Sequence, residues 1–375
     1  MDIFKRTILM ILVLVLFSSN LIFADGQEEM PDPVKGKVLK IISEKTKNHD
    51  YNEEQSIKQQ TIKVRVDSGK HKGEVILVEN IIDEMFAYNI HVNEGDKVLL
   101  YLEENNEGEI LNGYISDIAR DSYLIYLVLF FVIVLILIGG VKGFKSVITL
   151  TITGFAILKI LLPLILKGYN PMILSIIVSI GVITLTLIII SGFNKKTYSA
   201  ILGTSGGVLI AGVITLIMGS LASLTGLGNE EAQMLMYIPQ NTDFNFKGLL
   251  FASIILGALG AVMDVSMSIA SSMHEIESHN PDIDNKDLVK AGMNVGKDIM
   301  GTMSNTLILA YAGGSLYLML LFMAHDISFI EIINRDMIAS EVVRALAGSI
   351  GLIFSIPITA LVSGTLLRYE NNKSS

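Results

Sequence analysis

The chain has 375 residues, 51% hydrophobic and 17% charged, and its apolar excess is gathered into runs long enough to cross a bilayer. Its formal net charge of −9 comes with no cluster of lysine and arginine, which excludes a nucleic-acid partner, because binding phosphate needs clustered cations. The absence of cysteine excludes disulfides, thiolate nucleophiles and Cys-held metals together.

Lys5 and Arg6 precede an apolar run from Thr7 to Phe17 and then Ser-Ser-Asn-Leu-Ile-Phe-Ala24-Asp25. That order is the n-region, h-region and cleavage site of a signal peptide. Ile22 is not small, however, so an uncleaved signal anchor is the other reading of residues 1–25. Either device sends the following segment outside.

Residues 26–121 are expected to form an extracytoplasmic β-rich domain. A period of two is visible at Ile62, Val64 and Val66, with short runs at Lys37–Ser43, Glu74–Val78, Lys97–Glu103 and Glu109–Ser116. Five such strands predict a small barrel, OB-like or SH3-like. Asn105-Asn106-Glu107-Gly108 predicts a tight hairpin between the last two, because Asn and Gly tolerate positive φ. Such a barrel serves either as a ligand- or partner-binding module or as a structural cap.

Residues 122–368 are expected to form a polytopic α-helical membrane domain, and 369–375 a cytoplasmic tail. Seven spans are predicted: about Tyr123–Gly140, Val147–Leu166, Met172–Gly192, Ser199–Leu224, Gly248–Ser272, Thr302–Ala324 and Val343–Leu367. With the barrel outside, the inner connections hold Lys142, Lys145, Lys195, Lys196, Lys286, Lys290, Lys297, Arg368 and Lys373. The outer ones hold Lys167, Lys247, Arg335 and Arg344, so nine cations against four satisfy the positive-inside rule. Gly203 and Gly207 in the fourth span, and Gly257 and Gly260 in the fifth, predict close helix packing. Pro163 and Pro357 predict kinks in the second and seventh spans, since each leaves a backbone carbonyl four residues earlier without its donor. For Pro163 that carbonyl belongs to Lys159, an intramembrane charge that either snorkels outward or acts as a counter-ion or gate. The stretch Gly228 to Phe246 mixes Glu230 and Glu231 with Met234, Leu235, Met236 and Tyr237, the pattern of an amphipathic lid.

The candidate chemistry lies in the fifth and sixth spans. At about 100° per residue, Ser253, Gly257, Gly260, Asp264, Ser268, Ser271 and Glu275 fall within one narrow arc. Asn294, Asp298, Gly301, Asn305 and Ala312 share a face of the next helix, so the two stripes are expected to face each other, with Glu275 level with Lys297 and Ser268 level with Ser304 and Asn305. A carboxylate at that depth costs roughly 2.5–3.5 kcal/mol, so Asp264 should meet protein or water rather than lipid. Asp264, Ser268, Ser271, Glu275, Asp298, Thr302, Ser304 and Asn305, with Lys159, are the candidate path for an ion or solute. One use is proton carriage and another a hard-cation site, since carboxylate, hydroxyl and amide oxygens suit such ions. The plain structural alternative is that Asp264 bonds Asn305 and ties two helices together.

Sharper motifs fail. His274 and His279 are five apart, not the four that a zinc HExxH helix requires, and Gly292-Met-Asn-Val-Gly296-Lys297-Asp298 is a residue short of a P-loop and lacks its Ser/Thr. Methionines at helical spacing fill gaps more often than they bind Cu(I). No cofactor or metal is expected, and no nucleophile and base stand at catalytic spacing, so the chain is not read as an enzyme.

The run Met263-Asp-Val-Ser-Met-Ser-Ile-Ala-Ser-Ser-Met-His-Glu275, followed by Gly296-Lys297-Asp298-Ile-Met-Gly301-Thr302-Met-Ser304-Asn305-Thr306, resembles the YibE/F-like family of multi-pass bacterial membrane proteins. The resemblance implies a fold type and a bacterial plasma-membrane location, without a reaction or known catalytic residues. The two facing polar stripes, with the Asp264 carboxylate between them, lead to the expectation of a permease for an unknown ion or small solute, in contact with the lipid bilayer and with a membrane-protein partner or a homo-oligomer as further contacts. The alternative is a sensor or assembly protein whose outer barrel binds a partner.

Overall fold

The computed structural model describes residues 32–49, 52–83, 85–86, 88–238 and 244–371. The signal segment and Lys373 lie outside the described residues. The chain divides into two compact units, one ending at Leu137 and the other running from Ile138 onward.

In the first unit, β1 (Val34–His49), β2 (Asn52–Val66), β3 (Val75–Asp83), β4 (Lys97–Glu104) and β5 (Ile110–Ile118) close a barrel in the order β1-β2-β3-β5-β4. β3 pairs parallel with β5 at Glu79 and Tyr114, and β1 closes antiparallel on β4 between Val34 and Leu100. Of the two barrels expected, this crossover order is the OB-like one. Alternation produces the core: Val38, Ile62, Val64, Val66, Val78, Val98 and Leu100 are all buried. The predicted hairpin is present. The Asn105 side chain accepts from the Glu107 and Glu109 backbone N–H groups, and Gly108 takes φ 80°, a conformation that costs glycine little.

Helix α1 (Asp121–Phe155) runs through a π-helical segment (Ala156–Leu161) into α2 (Leu162–Leu166). The first two predicted spans thus lie in one 46-residue run, kinked at Gly140, whose φ of 53° and ψ of −129° suit only glycine. The backbone leaves helical geometry at Gly140, so the run is two helices joined across a kink, at the end of the first predicted span. The bend expected at Pro163 is the π segment. Since Pro163 has no N–H to give the Lys159 carbonyl, the ladder widens, and the Leu162 N–H donates to the Ile157 carbonyl five residues back.

The remaining helices are α3 (Pro171–Ser191), α4 (Lys195–Leu221), a short α5 (Glu230–Met234), α6 (Phe246–His279), α7 (Asn285–Gly314), α8 (Leu316–Ala324), a short α9 (Phe329–Ile333) and α10 (Asp336–Asn371). Asparagines start three of the long ones: the Asn170, Asn194 and Asn245 side chains accept from the first-turn N–H groups of α3, α4 and α6. Among the described residues five helices are long and apolar enough to cross a membrane. The predicted sixth span is instead a broken pair, α7 and α8, bent by 57° at Ser315. By length and composition these helices are consistent with a membrane protein. Its centre is built from α3, α4, α6 and α10 around Ile183, Val208, Val262, Ile269, Leu352 and Ile356.

Close packing follows the predicted glycines in the fourth span. A methyl group added at Gly203 would meet Thr359, and one at Gly207 would meet the Gly351 carbonyl and Ser355, so α4 and α10 touch backbone to backbone. Gly257 lies against the Tyr311 hydroxyl, whereas Gly260 has nothing beside it and is not a packing residue. Two lysines expected at inner connections close helix ends: the Lys145 ammonium donates to the Ile190 carbonyl and that of Lys195 to the Leu367 carbonyl.

Candidate functional site

Asp264 stands near the middle of α6, fifteen residues before its C-terminal His279, or about 22 Å at 1.5 Å per residue. The inward face of the helix carries Ala258, Val262, Val265, Ile269 and Met273, all buried. The predicted stripe is the opposite face. Ser253, Gly257, Gly260, Asp264 and Glu275 are exposed, while Ser268 and Ser271 are half-buried. No hydrogen bond or ion pair engages the Asp264 carboxylate among the described residues.

Helix α7 repeats the arrangement. Asn294, Lys297, Asp298, Gly301, Thr302 and Asn305 are exposed, and Leu288, Gly292, Gly296 and Leu307 are buried. Gly292 lies against Met273, and Gly296 lies against Ile356 of α10 and Ile269 of α6, so glycines and not the polar residues sit at these α6–α7 contacts. The two stripes therefore do not face each other. Small residues bring the backbones close and turn Asp298 and Asn305 outward. The register differs as well: these contacts set Asp264 level with about Gly301, Ser268 with Lys297 and Glu275 with Lys290. The shift is about two turns. Because α6 continues to His279 and α7 already begins at Asn285, the helices fold about residue 282 and not deeper in the loop.

The other predicted residues are dispersed. The Thr302 hydroxyl donates to the Ile299 carbonyl in its own helix. Ser304 is half-buried, and its hydroxyl is shielded without a partner. Glu275 and His279 approach within 3.8 Å on the exposed C-terminal end of α6. Lys159 sits half-buried in the π segment with no partner among the described residues, and that segment packs on α3 rather than on α6. Asp264 and Lys159 are not brought together. The proposed tie between Asp264 and Asn305 is not made either.

A cavity of about 390 Å³ opens at the end of the helical unit where α6 and α10 begin and α7 breaks. Arg344 is one of the residues that line it. Expected at the outer margin of a span, Arg344 lies eight residues into α10, about 12 Å from the Asp336 end, and its side chain is 22% exposed. The guanidinium Nη1 contacts the Glu341 carboxylate at 2.8 Å, and Nη2 donates to the Ser253 hydroxyl at 3.3 Å, while Nε is buried with no partner among the described residues. Ser340 lines the same cavity with a buried, unpartnered hydroxyl. Glu231, Ala232 and Leu235 from the predicted lid segment form one wall, and residues 239–243 of that segment lie outside the described residues. Thr225 holds the preceding loop to α10 by donating from its hydroxyl to Asp336 at 2.5 Å. Sequence reading missed this site because charge counting placed Arg344 in a connection. The available signal was Asp336-Met-Ile-Ala-Ser, a helix start seven residues before the first strongly apolar stretch.

On the barrel, His71 is buried between two carboxylates, with Nδ1 2.9 Å from Glu74 and Nε2 2.9 Å from Glu104. The bonds to Glu74 and Glu104 hold the imidazole above its ordinary range. Lys70 and His71 in turn hold the Glu104 carboxyl below its own. A stabilising cluster is the plainest use of this arrangement.

Two family comparisons match the chain. Residues 127–369 match the family described as YibE/F-like protein, and residues 30–118 match the YibE/F family N-terminal domain. No curated protein and no solved structure matches.

Proposed function

The chain belongs to the YibE/F-like protein family, and on that premise we propose that it is an integral membrane permease for an ion or small solute, lying in the bacterial plasma membrane with its barrel outside and its C-terminus inside. Asp264 carries the reading: a carboxylate in mid-helix, exposed on the surface of the helical unit and without a partner among the described residues. Lipid contact there costs about 2.5–3.5 kcal/mol, so in the membrane this face meets water or protein. Ser268 and Ser271 on α6, with Asp298, Thr302 and Asn305 on α7, extend the polar surface, and a neighbouring protein surface, such as a second copy of the chain, closes it. Lys159, where the π segment interrupts the ladder, is a second charge at membrane depth, and such segments recur at functional positions. The test is flux into proteoliposomes loaded with a pH-sensitive dye and offered protons, monovalent cations and amino acids in turn. Asp264→Asn is expected to abolish flux while the helical circular dichroism persists, and undiminished flux in that variant rejects the reading.

One observation favours a second reading, that of a sensor or assembly protein. The barrel exposes Leu77 and Ile81 of β3 and Leu111 and Tyr114 of β5, strands that are paired neighbours. Under this reading Asp264→Asn lowers stability and leaves function in place. Changing Leu77 and Ile81 to Ser would then remove a partner captured by cross-linking in the membrane.

A further inference from the structure

The cavity around Arg344 is a second place where chemistry is concentrated, and it is distinct from the Asp264 surface. We infer that it binds a small zwitterion with an apolar side chain, an amino acid of the leucine type. A guanidinium receives a carboxylate side-on through the edge made by Nε and Nη2, with two parallel N–H···O bonds. In Arg344 that edge lacks a strong acceptor among the described residues, and because Nε is shielded a carboxylate engages it once the guanidinium turns toward the cavity. The Glu341 carboxylate occupies the Nη1 corner, Nη2 holds the Ser253 hydroxyl at 3.3 Å, a length at the weak end, and Nε is unpartnered. A buried N–H without an acceptor is costly, and a ligand carboxylate on this edge would satisfy it.

A simple anion would nevertheless meet an unfavourable lining. Glu231 and Glu341 set two negative charges against the single positive charge of Arg344, and α7 ends on the cavity at Gly314, adding the partial negative charge of a helix C-terminus. A simple cation would meet Arg344. One molecule carrying a carboxylate and an ammonium a few ångströms apart satisfies both, its carboxylate on Arg344 and its ammonium toward the carboxylates and the α7 terminus. The apolar part of the wall favours an apolar side chain: Leu235, Leu249, Leu250, Leu318 and Met337 line it beside the polar Asn229, Ser315 and Ser340. A volume of about 390 Å³ stands at the small end of ligand pockets, which run from roughly 300 to 1,000 Å³. The Ser340 hydroxyl, buried and unpartnered in the same wall, is one further donor. Helices broken beside a cavity, as α7 and α8 are at Ser315, provide free backbone polar groups where a solute is held.

Equilibrium dialysis of the purified full chain in detergent, with tritium-labelled L-leucine, tests the inference. Unlabelled isocaproate, which lacks the ammonium, and isoamylamine, which lacks the carboxylate, serve as competitors. Saturable binding of L-leucine is expected, with both competitors at least tenfold weaker than unlabelled leucine and Arg344→Gln weakening binding about tenfold to a hundredfold. Ala232→Phe fills the cavity without altering a charge and should abolish binding at an unchanged melting temperature, which covers the case in which Arg344→Gln fails to fold. The inference is overturned by no saturable binding at millimolar leucine, by either competitor matching leucine, by unchanged affinity in a folded Arg344→Gln protein, or by binding that survives Ala232→Phe. None of these outcomes depends on Asp264, so the permease reading stands or falls separately.

Discussion

The barrel and the helical unit put opposite chemistry on their surfaces. In the barrel, valines and isoleucines fill the centre and charges lie outside in pairs such as Lys35 with Asp121 at 2.5 Å and Arg65 with Asp67 at 2.8 Å. The helices reverse this order. Ser175, Ser179, Thr204, Ser266, Ser355 and Thr359 are buried, while Leu129, Leu158, Leu209, Leu361 and many other large apolar side chains stand exposed. Several of the buried hydroxyls donate to a carbonyl in the preceding turn of their own helix, as Thr204 does to Ala200 and Thr359 to Ser355, and so need no partner elsewhere. The difference is the one two solvents would produce: water rewards hiding apolar area, whereas lipid leaves packing of small residues as the main force between helices. Against that rule Asp264 stands out, with Lys297 and Asp298 on α7, as a charge left outside on a unit that mostly turns apolar groups outward.

The largest effect should come from the contact between α4 and α10. Gly207→Leu places a side chain against the Gly351 backbone and is expected to lower stability by about 3 kcal/mol or more, read from the circular dichroism melt in detergent. Gly260→Leu, at a position with open space, should melt like the parent, and equal damage from both would contradict the packing described. Next is the barrel core, where Val64→Ala removes fully buried methyl groups and should cost about 2 kcal/mol, seen as a lower barrel unfolding midpoint in urea. The same truncation on the lipid-type surface, Leu129→Ala, should stay within about 0.5 kcal/mol. The smallest effect concerns His71. Its pKa is raised in the folded barrel, so its contribution is complete below about pH 6.5 and is lost as pH rises through the folded value. Glu104 is lowered, so its contribution is present above about pH 4.3 and fades as pH falls below that. The barrel should thus be most stable between about pH 5 and 6.5, and His71→Asn should flatten the alkaline side of that profile.

The parts of this division that could be read from the sequence are those set by local chemistry. Alternation at Ile62, Val64 and Val66 marks a barrel strand, Asn105 to Gly108 marks the hairpin, Gly203 and Gly207 mark the tight contact with α10, and Pro163 marks the π segment. What could not be read is direction. Helical spacing groups Asp264 with Ser268 and Glu275 on one face, but does not determine which neighbour that face meets, and the glycines at 292 and 296 decide it. The level of Asp264 depended on a short connection at residues 280–284, and the burial of Arg344 on a helix that starts at Asp336. Both are boundary effects, and periodicity does not register them. The broken pair α7 and α8 was hidden for a related reason, since Gly313, Gly314 and Ser315 interrupt a stretch whose apolar character continues on both sides.

Because the chain has no cysteine, one measurement addresses the Asp264 face directly. Single substitutions Ser268→Cys and Asn305→Cys on the polar faces, and Leu209→Cys and Leu361→Cys on exposed apolar ones, can be labelled in native membranes with a water-soluble methanethiosulfonate. If the stripes line a water-filled path, the first two react rapidly and the last two stay unlabelled. Equal protection of all four positions would mean that the Asp264 face is sealed from water, and the permease reading would then be wrong.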